Sequence, residues 1–304
     1  MSNGLRAERD SLPRSERGSE GERRSSPSLK IDAHQHFWKY DPVDYDWIDE
    51  RMAALKRDFL PEHLLPELRR TGFEACVAVQ ARQTLEETRW LLDLAERHPF
   101  VAGVVGWVDL RREDVGEQLA RFEGRRKLVG IRHIVQAEPD ERFLLRSDFL
   151  RGVEVLRGRG FAYDILIYPR HLKVAAEFAR RFRGMRLVLD HAAKPDITGG
   201  RFDDWRRDLR ALALEPHVLC KLSGLVTEAD WQGWTAEQLR PCLETAFDCF
   251  GPERLMIGSD WPVCTLAADY ARTMGVVLDF LERRAPAERE AILGGNAVRF
   301  WRLQ

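Results

Sequence analysis

The chain has 304 residues, a length that one α/β barrel fills, and its 44% hydrophobic and 32% charged residues are enough to build and cover a large core. A formal net charge of −1 offers no positive field to nucleic acid or an anionic membrane surface. No apolar run approaches the length needed to cross a bilayer, and the five cysteines lack the CxxC spacing of a metal or redox motif. Cys76 and Cys220 lie in apolar strand patterns and read as core thiols; the cytoplasm is the expected compartment. The sequence leaves a homo-oligomer open.

Residues 1–28 are rich in Ser, Gly, Glu and Arg, hold only two leucines and show no helical or strand period. They cannot bury enough apolar surface to offset their ordering entropy, so a disordered tail is expected. Acidic residues (Glu8, Asp10, Glu16, Glu20, Glu22) nearly match the arginines, and no apolar stretch resembles a signal peptide.

From residue 29 to 304 apolar runs alternate with helical patterns. Strands are expected at 30–35, 74–80, 101–108, 127–134, 161–168, 186–191, 217–223 and 254–260. Among the intervening helices, Glu86 to His98 places Trp90, Leu91, Leu94 and Ala95 on one face and opens with Thr84-x-x-Glu87, the spacing of a capping box. Strands alternating with helices imply parallel pairing. No Gly-rich phosphate turn follows any strand, so a closed barrel is favoured over an open doubly wound sheet, and no organic cofactor is expected.

Three strands end in chemically capable groups. Ile31-Asp32-Ala33-His34-Gln35-His36 places two imidazoles on one face, Leu187-Val188-Leu189-Asp190-His191 ends in a third, and Leu255-Met256-Ile257-Gly258-Ser259-Asp260 ends in a carboxylate just before Pro262. Convergence of such groups at one end is how a barrel builds an active site. Asp260 could instead cap a helix, and His191, followed by Lys194-Pro195, could make a loop contact. His63, His98, His171 and His217 read as structural or surface histidines.

The segments DAHQHFW (32–38), VAVQAR (77–82), VVGWVDLR (104–111), LVLDHAAKP (187–195), CKLSGLVTEADW (220–231) and LMIGSDWPVC (255–264) resemble the amidohydrolase-related lactonases, and among them those that open L-fucono-1,5-lactone and other aldonolactones. The resemblance runs from about residue 30 to about 300. It implies a distorted (β/α)8 TIM barrel in a single domain, a hydrolase of sugar catabolism, and a small-molecule sugar lactone as partner. It also implies Asp260 as general base, with His34, His36 and His191 holding the oxyanion or an ion.

Many amidohydrolases hold two ions, but the fourth strand ends Ile131-Arg132-His133, without a bridging lysine or glutamate, and only one later histidine, His191, is evident. A binuclear centre is therefore not expected. His34, His36, His191 and Asp260 could hold one divalent ion such as zinc, and the resemblance implies metal held weakly or not required. The alternative reading is a mononuclear metal-dependent amidohydrolase or decarboxylase acting on another small carboxylate or lactone.

Substrate contacts are expected from Arg132, His133, Gln80, Trp38 and Ser223, with Arg82, Glu228 and Trp231 as further hydroxyl-binding candidates. Arg132 and His133 could equally form ion pairs with Glu138 or Asp140. The aromatic stretch Phe37-Trp38-Lys39-Tyr40 to Tyr45-Asp46-Trp47 suits the C–H face of a sugar ring, although loop packing explains the same residues. No dense arginine cluster at the strand ends argues for a di- or tricarboxylate lactone.

Overall fold

In the computed structural model each of the eight apolar runs forms a strand: β1 (Ile31–Gln35), β2 (Ala75–Val79), β3 (Val101–Gly106), β4 (Leu128–His133), β5 (Ala162–Ile165), β6 (Leu187–Leu189), β7 (Val218–Leu222) and β8 (Leu255–Ile257). All neighbours pair parallel in chain order. The circle closes just beyond β8, where Asp260 N donates to His34 O at 2.7 Å and His36 N donates to Trp261 O at 2.6 Å. The chain is thus a (β/α)8 barrel, as the alternation of strands and helices predicts. The structure describes residues 29–304 and Met1, so the expectation of a disordered tail over 1–28 lies outside the described residues. No described helix is long and apolar enough to cross a membrane.

Helices α1 (Pro61–Thr71), α2 (Leu85–Arg97), α3 (Val115–Ala120), α4 (Ser147–Gly158), α5 (Leu172–Arg181), α6 (Asp203–Ala213), α7 (Ala236–Phe250) and α8 (Tyr270–Arg284) follow the successive strands. Their apolar stripes pack on the outward strand residues, for example Leu91 and Leu92 of α2 with Val104 of β3 in the outer core. Thr84 caps α2 by accepting from Glu87 N at 3.1 Å. The reciprocal half of the expected capping box is absent. Glu87 turns outward from the helix start and accepts from Ala81 N (3.1 Å) and Arg82 N (2.8 Å), pinning the loop after β2.

The barrel interior is layered. Val77, Val105, Val129, Val188 and Met256 form an apolar layer, closed from below by Phe300 and Trp301 of the last helix, α9 (Asn296–Trp301). Lys221 sits above that plug, its Nζ 5.0 Å from the Trp301 ring centre. The functional groups occupy the level above, at the carboxyl ends of the strands.

Candidate active site

The first-strand histidines converge because the β1–β2 pairing shifts register between Asp32 and Gln35. Across that break the inward side passes from Ile31 and Ala33, which join the apolar layer, to His34 and His36. His36 Nδ1 lies 2.8 Å from Val79 O, and a carbonyl only accepts, so Nδ1 carries a proton and the ring turns its Nε2 toward Asp260. That Nε2 is 3.3 Å from His34 Nε2 and 3.2 Å from Asp260 Oδ1. Asp260 Oδ1 is also 3.8 Å from His34 Nε2 and 3.9 Å from His191 Nε2.

Asp260 reaches this position from beyond β8, three residues past the last paired one, with φ +58°. His191 likewise lies past β6, at φ +54°, and Ala192, Ala193 and Lys194 continue in the left-handed region. Such conformations are strained for residues with a Cβ and persist only where surrounding structure imposes them. Two glycines make the approach possible. A Cβ on Gly258 would stand 2.8 Å from His34 Cβ, and one on Gly224, itself at φ +62°, would stand 2.5 Å from His191 Nδ1. Ser223 Oγ holds that same Nδ1 at 2.9 Å.

Beneath the histidines lies a fully buried charge network. Lys221 Nζ contacts Asp164, lies 2.9 Å from Asp190 Oδ1 and 3.2 Å from His34 Nδ1. Arg132 Nη1 is 3.0 Å from Asp190 Oδ2 and 3.2 Å from His34 Nε2, and its Nη2 donates to Gln80 O and, at 3.2 Å, to Gln80 Oε1. Burial pushes Asp164 up to about 6 in spite of Lys221. Burial also works to raise Asp190, but Lys221, His34 and Arg132 outweigh it and hold that carboxyl well below the usual range. Removing a single member of such a network typically costs about 3–5 kcal/mol, because a buried charge is left without its partner.

The same opposition sets the ionisation of the site. Burial lowers His34 well below the ordinary histidine value and His191 to about 4, against the pull of the nearby carboxylates. For Asp260 burial acts upward, yet the imidazoles of His191, His36 and His34 hold it well below the usual carboxylate range. At neutral pH the site therefore pairs an ionised Asp260 carboxylate with neutral imidazoles at His34 and His191.

These groups face a cavity of about 520 Å³ lined by His36, Arg132, His191 and Asp260 together with Trp38, Trp47, Arg82, Gln136 and Lys194. His34 is fully buried behind them. Trp38 combines both readings of the aromatic stretch: it lines the cavity, and its ring packs against Tyr45 and Phe59 at 5.7 and 5.3 Å. Gln80 and Ser223 do not line the cavity; they brace Arg132 and His191 from behind. Arg82 lines it in an ion pair with Asp44 at 2.6 Å, Glu228 pairs with Lys194 at 3.4 Å, and Trp231 Nε1 donates to Thr227 O.

His133 departs from the expectation. Alternation along β4 turns Arg132 inward and His133 outward, where its ring stacks on Phe143 with centroids 4.7 Å apart and its Nε2 is 2.7 Å from Glu138 Oε1. It is not a cavity residue; the partner weighed in its alternative, Glu138, is the one it meets, through a hydrogen bond rather than an ion pair because burial lowers the imidazole. His63 and His171 accept from the backbone amides of Leu60 and Tyr168, and His217 donates to Ala179 O, all structural uses.

The donor set can be tested for an ion. His34, His36 and Asp260 offer one ligand atom each within 4.8 Å of one another. His36 Nε2 and Asp260 Oδ1 converge at 3.2 Å with His34 Nε2 beside them, three atoms of the types that ligate a divalent cation. The residues therefore fit one divalent ion. A second set of possible ligands, His34, Asp190 and His191, also converges, but Arg132 Nη1, 3.2 Å from His34 Nε2 and 3.0 Å from Asp190 Oδ2, sets a permanent positive charge against a second ion there.

The family model of the amidohydrolases matches residues 31–303. The chain belongs to that family. It is 47% identical over 287 residues, 91% of this chain and 97% of the relative, to the L-fucono-1,5-lactonase of Burkholderia multivorans. It is 40% identical over 282 residues to the L-fucono-1,5-lactonase of Burkholderia ambifaria, covering 91% of this chain and 96% of that enzyme. A crystal structure of an amidohydrolase from Burkholderia multivorans with bound zinc superimposes with a TM-score of 0.88 at 46% identity, covering 91% of this chain and all of the other.

Four buried residues of the site escape the strand-end reading. Lys221 and Asp164 lie within β7 and β5 among apolar residues, Asp190 directly follows β6, and Asp32 bonds Ser259 N (2.9 Å) and Tyr270 OH (3.1 Å) at the barrel seam. A charge in the middle of an otherwise apolar run is the one sequence signal they share.

Proposed function

We propose that this amidohydrolase is a lactonase that opens an aldonolactone, with L-fucono-1,5-lactone and the related D-arabinono- and L-rhamnono-lactones as first candidates. The observation that carries this reading is the ionised Asp260 carboxylate facing a polar cavity beside Arg132, matched by the names of the relatives that share this chain's length. A cavity of about 520 Å³ suits a single sugar ring. Among the described residues three cationic side chains, Arg82, Arg132 and Lys194, line it, and each already faces a carboxylate, which suits a neutral polyhydroxylated ring better than a polycarboxylate.

Asp260 Oδ1 accepts a proton from water as the oxygen attacks the lactone carbonyl carbon. The carbonyl π electrons move to oxygen, and the resulting oxyanion is held beside the Arg132 guanidinium, whose buried Nε has no hydrogen-bond partner. Collapse breaks the bond to the ring oxygen, and Asp260 returns its proton to that oxygen. Trp38 and Trp47 wall the ring and exclude bulk water. His36, His34 and Asp260, with His191 alongside, would hold one zinc; when bound, the ion polarises a carbonyl and acidifies water.

A pH-indicator assay of purified protein against L-fucono-, D-arabinono-, L-rhamnono- and L-galactono-lactones tests the reading. Saturable acid release on at least one is expected. No turnover of any lactone, with turnover of an aromatic acid or an amide, would replace it with the metal-dependent alternative.

A further inference from the structure

Four consecutive residues after β6, His191, Ala192, Ala193 and Lys194, hold φ between +48° and +61°. A left-handed run of that length without a glycine is rare, because a Cβ disfavours the conformation at every step. Strain of this kind persists only where the surroundings impose it, and it gathers at functional sites. Here the surroundings do so from several sides. Trp205 Nε1 donates to Ala192 O at 2.8 Å, Lys194 N donates to His191 O at 2.8 Å, and Gly224 leaves room for the His191 ring.

The turn gives two side chains one direction. The bond from Lys194 N to His191 O closes a tight turn of about three residues, in which the first and fourth positions share a side. His191 and Lys194 both line the cavity, whereas Ala192 and Ala193 between them are fully buried. His191 is committed to the reacting centre, 3.9 Å from Asp260 Oδ1. Lys194 has no part in the reaction as described. Its ammonium stands 3.4 Å from Glu228 Oε1 and 5.8 Å from the centre of the Tyr168 ring. An ammonium has three protons to donate, and one carboxylate leaves donors for the cavity. Glu228 is itself tied to the loop after β6, since Thr198 N and Oγ1 donate to its carbonyl at 3.3 and 3.2 Å.

We propose that Lys194 is a specificity-determining residue that donates to a ring hydroxyl of the lactone, while Glu228 holds its ammonium in place. The inference rests on the lactonase reading given above and adds to it the side chain that tells a hydroxylated lactone from a plain one. Because a carboxylate already balances Lys194, a neutral hydroxyl fits it better than an anionic group. The two cations thus divide the substrate. Arg132 meets the oxygen on which charge develops, and Lys194 meets an oxygen whose charge does not change.

The test removes the side chain and the substrate hydroxyls in turn, on the full chain. For the parent protein and Lys194→Met, kcat/KM is measured on an aldonolactone and on counterparts that each lack one of its hydroxyls. The variant should lose about ten- to a hundredfold on the fully hydroxylated lactone, as expected for a hydrogen bond from a charged donor. On the counterpart that lacks the hydroxyl bound by Lys194, variant and parent should agree within about twofold, the limit of additivity. Equal losses on every lactone, or no loss on any, overturn the inference. Methionine keeps the Cβ, so the demand on the left-handed backbone is unchanged. The double variant Lys194→Met, Glu228→Gln leaves no carboxylate without its cation, and should show the same pattern even where the single variant folds poorly. A parent protein that turns over no lactone removes the lactonase reading and this inference with it, a result distinct from equal losses in a working enzyme.

Discussion

The main-chain carbonyl of Val79 accepts the Nδ1 proton of His36 at 2.8 Å, and this bond decides what the ring shows to Asp260 on its far side. A backbone group of the second strand thus sets the chemistry of a side chain on the first. The imidazole turns its other nitrogen to the carboxylate, and Asp260, held in its ionised form, is the group equipped to take a proton from water.

Asp260→Asn should therefore fold normally and lose lactonase turnover by about a hundredfold or more, because an amide neither accepts nor returns the proton. The check is kcat alongside the thermal melting curve. A variant that keeps more than about a tenth of the parent rate removes Asp260 from the base role.

The pH profile follows from burial. His191 is lowered to about 4 from an ordinary 6.5, and Asp260 titrates below the usual carboxylate range, so kcat/KM should be flat through neutrality and fall only near pH 4. An acid limb near 6.5 would mean the imidazoles titrate as they do in water. Because the folded pKa of His191 is depressed, its stability contribution is complete above 6.5 and shrinks as the pH falls toward 4. Melting curves at each pH separate that loss from loss of catalysis.

Glu87 predicts a pH effect of opposite sign. Burial raises it to about 8 from 4.5, so the stability it contributes is complete below 4.5 and is lost as the pH rises through 8. Glu87→Gln keeps an oxygen for the amides of Ala81 and Arg82 and removes the ionisation. The parent protein should lose more melting temperature than the variant between pH 5 and 9, and parallel losses would contradict this.

Metal content provides the fourth expectation. Zinc titration should saturate at no more than one equivalent, since Arg132 occupies the β4 side of His34. The chelated enzyme should keep measurable turnover, because Asp260 and Arg132 act without an ion. Two tightly bound ions would contradict the ligand geometry, and complete loss on chelation would shift water activation to the metal.

The barrel is legible in the sequence because each strand is an apolar run bounded by a helix signal, and all eight expected intervals contain a strand. Asp260, His36 and His191 are legible for a related reason: they stand where an apolar run ends. Their supports are not. Lys221 lies between Cys220 and Leu222, and whether a lysine there is buried depends on Asp164 and Asp190 across the barrel, which no single-strand pattern contains. Arg132 and His133 differ only in parity, and the sequence near the strand end does not settle which of two adjacent residues turns inward.

His36 and Asp260 are 224 positions apart, and the bonds joining Asp260 to His34 and His36 to Trp261 are the ones that seal the sheet. The base and its imidazoles consequently do not exist as a unit until the final strand docks on the first. A chain halted at any earlier stage, on the ribosome or during refolding, has every other strand available and still no site. Lactone turnover in a refolding experiment is then a clock for ring closure, and it should rise with the last structural phase rather than with the first appearance of helix.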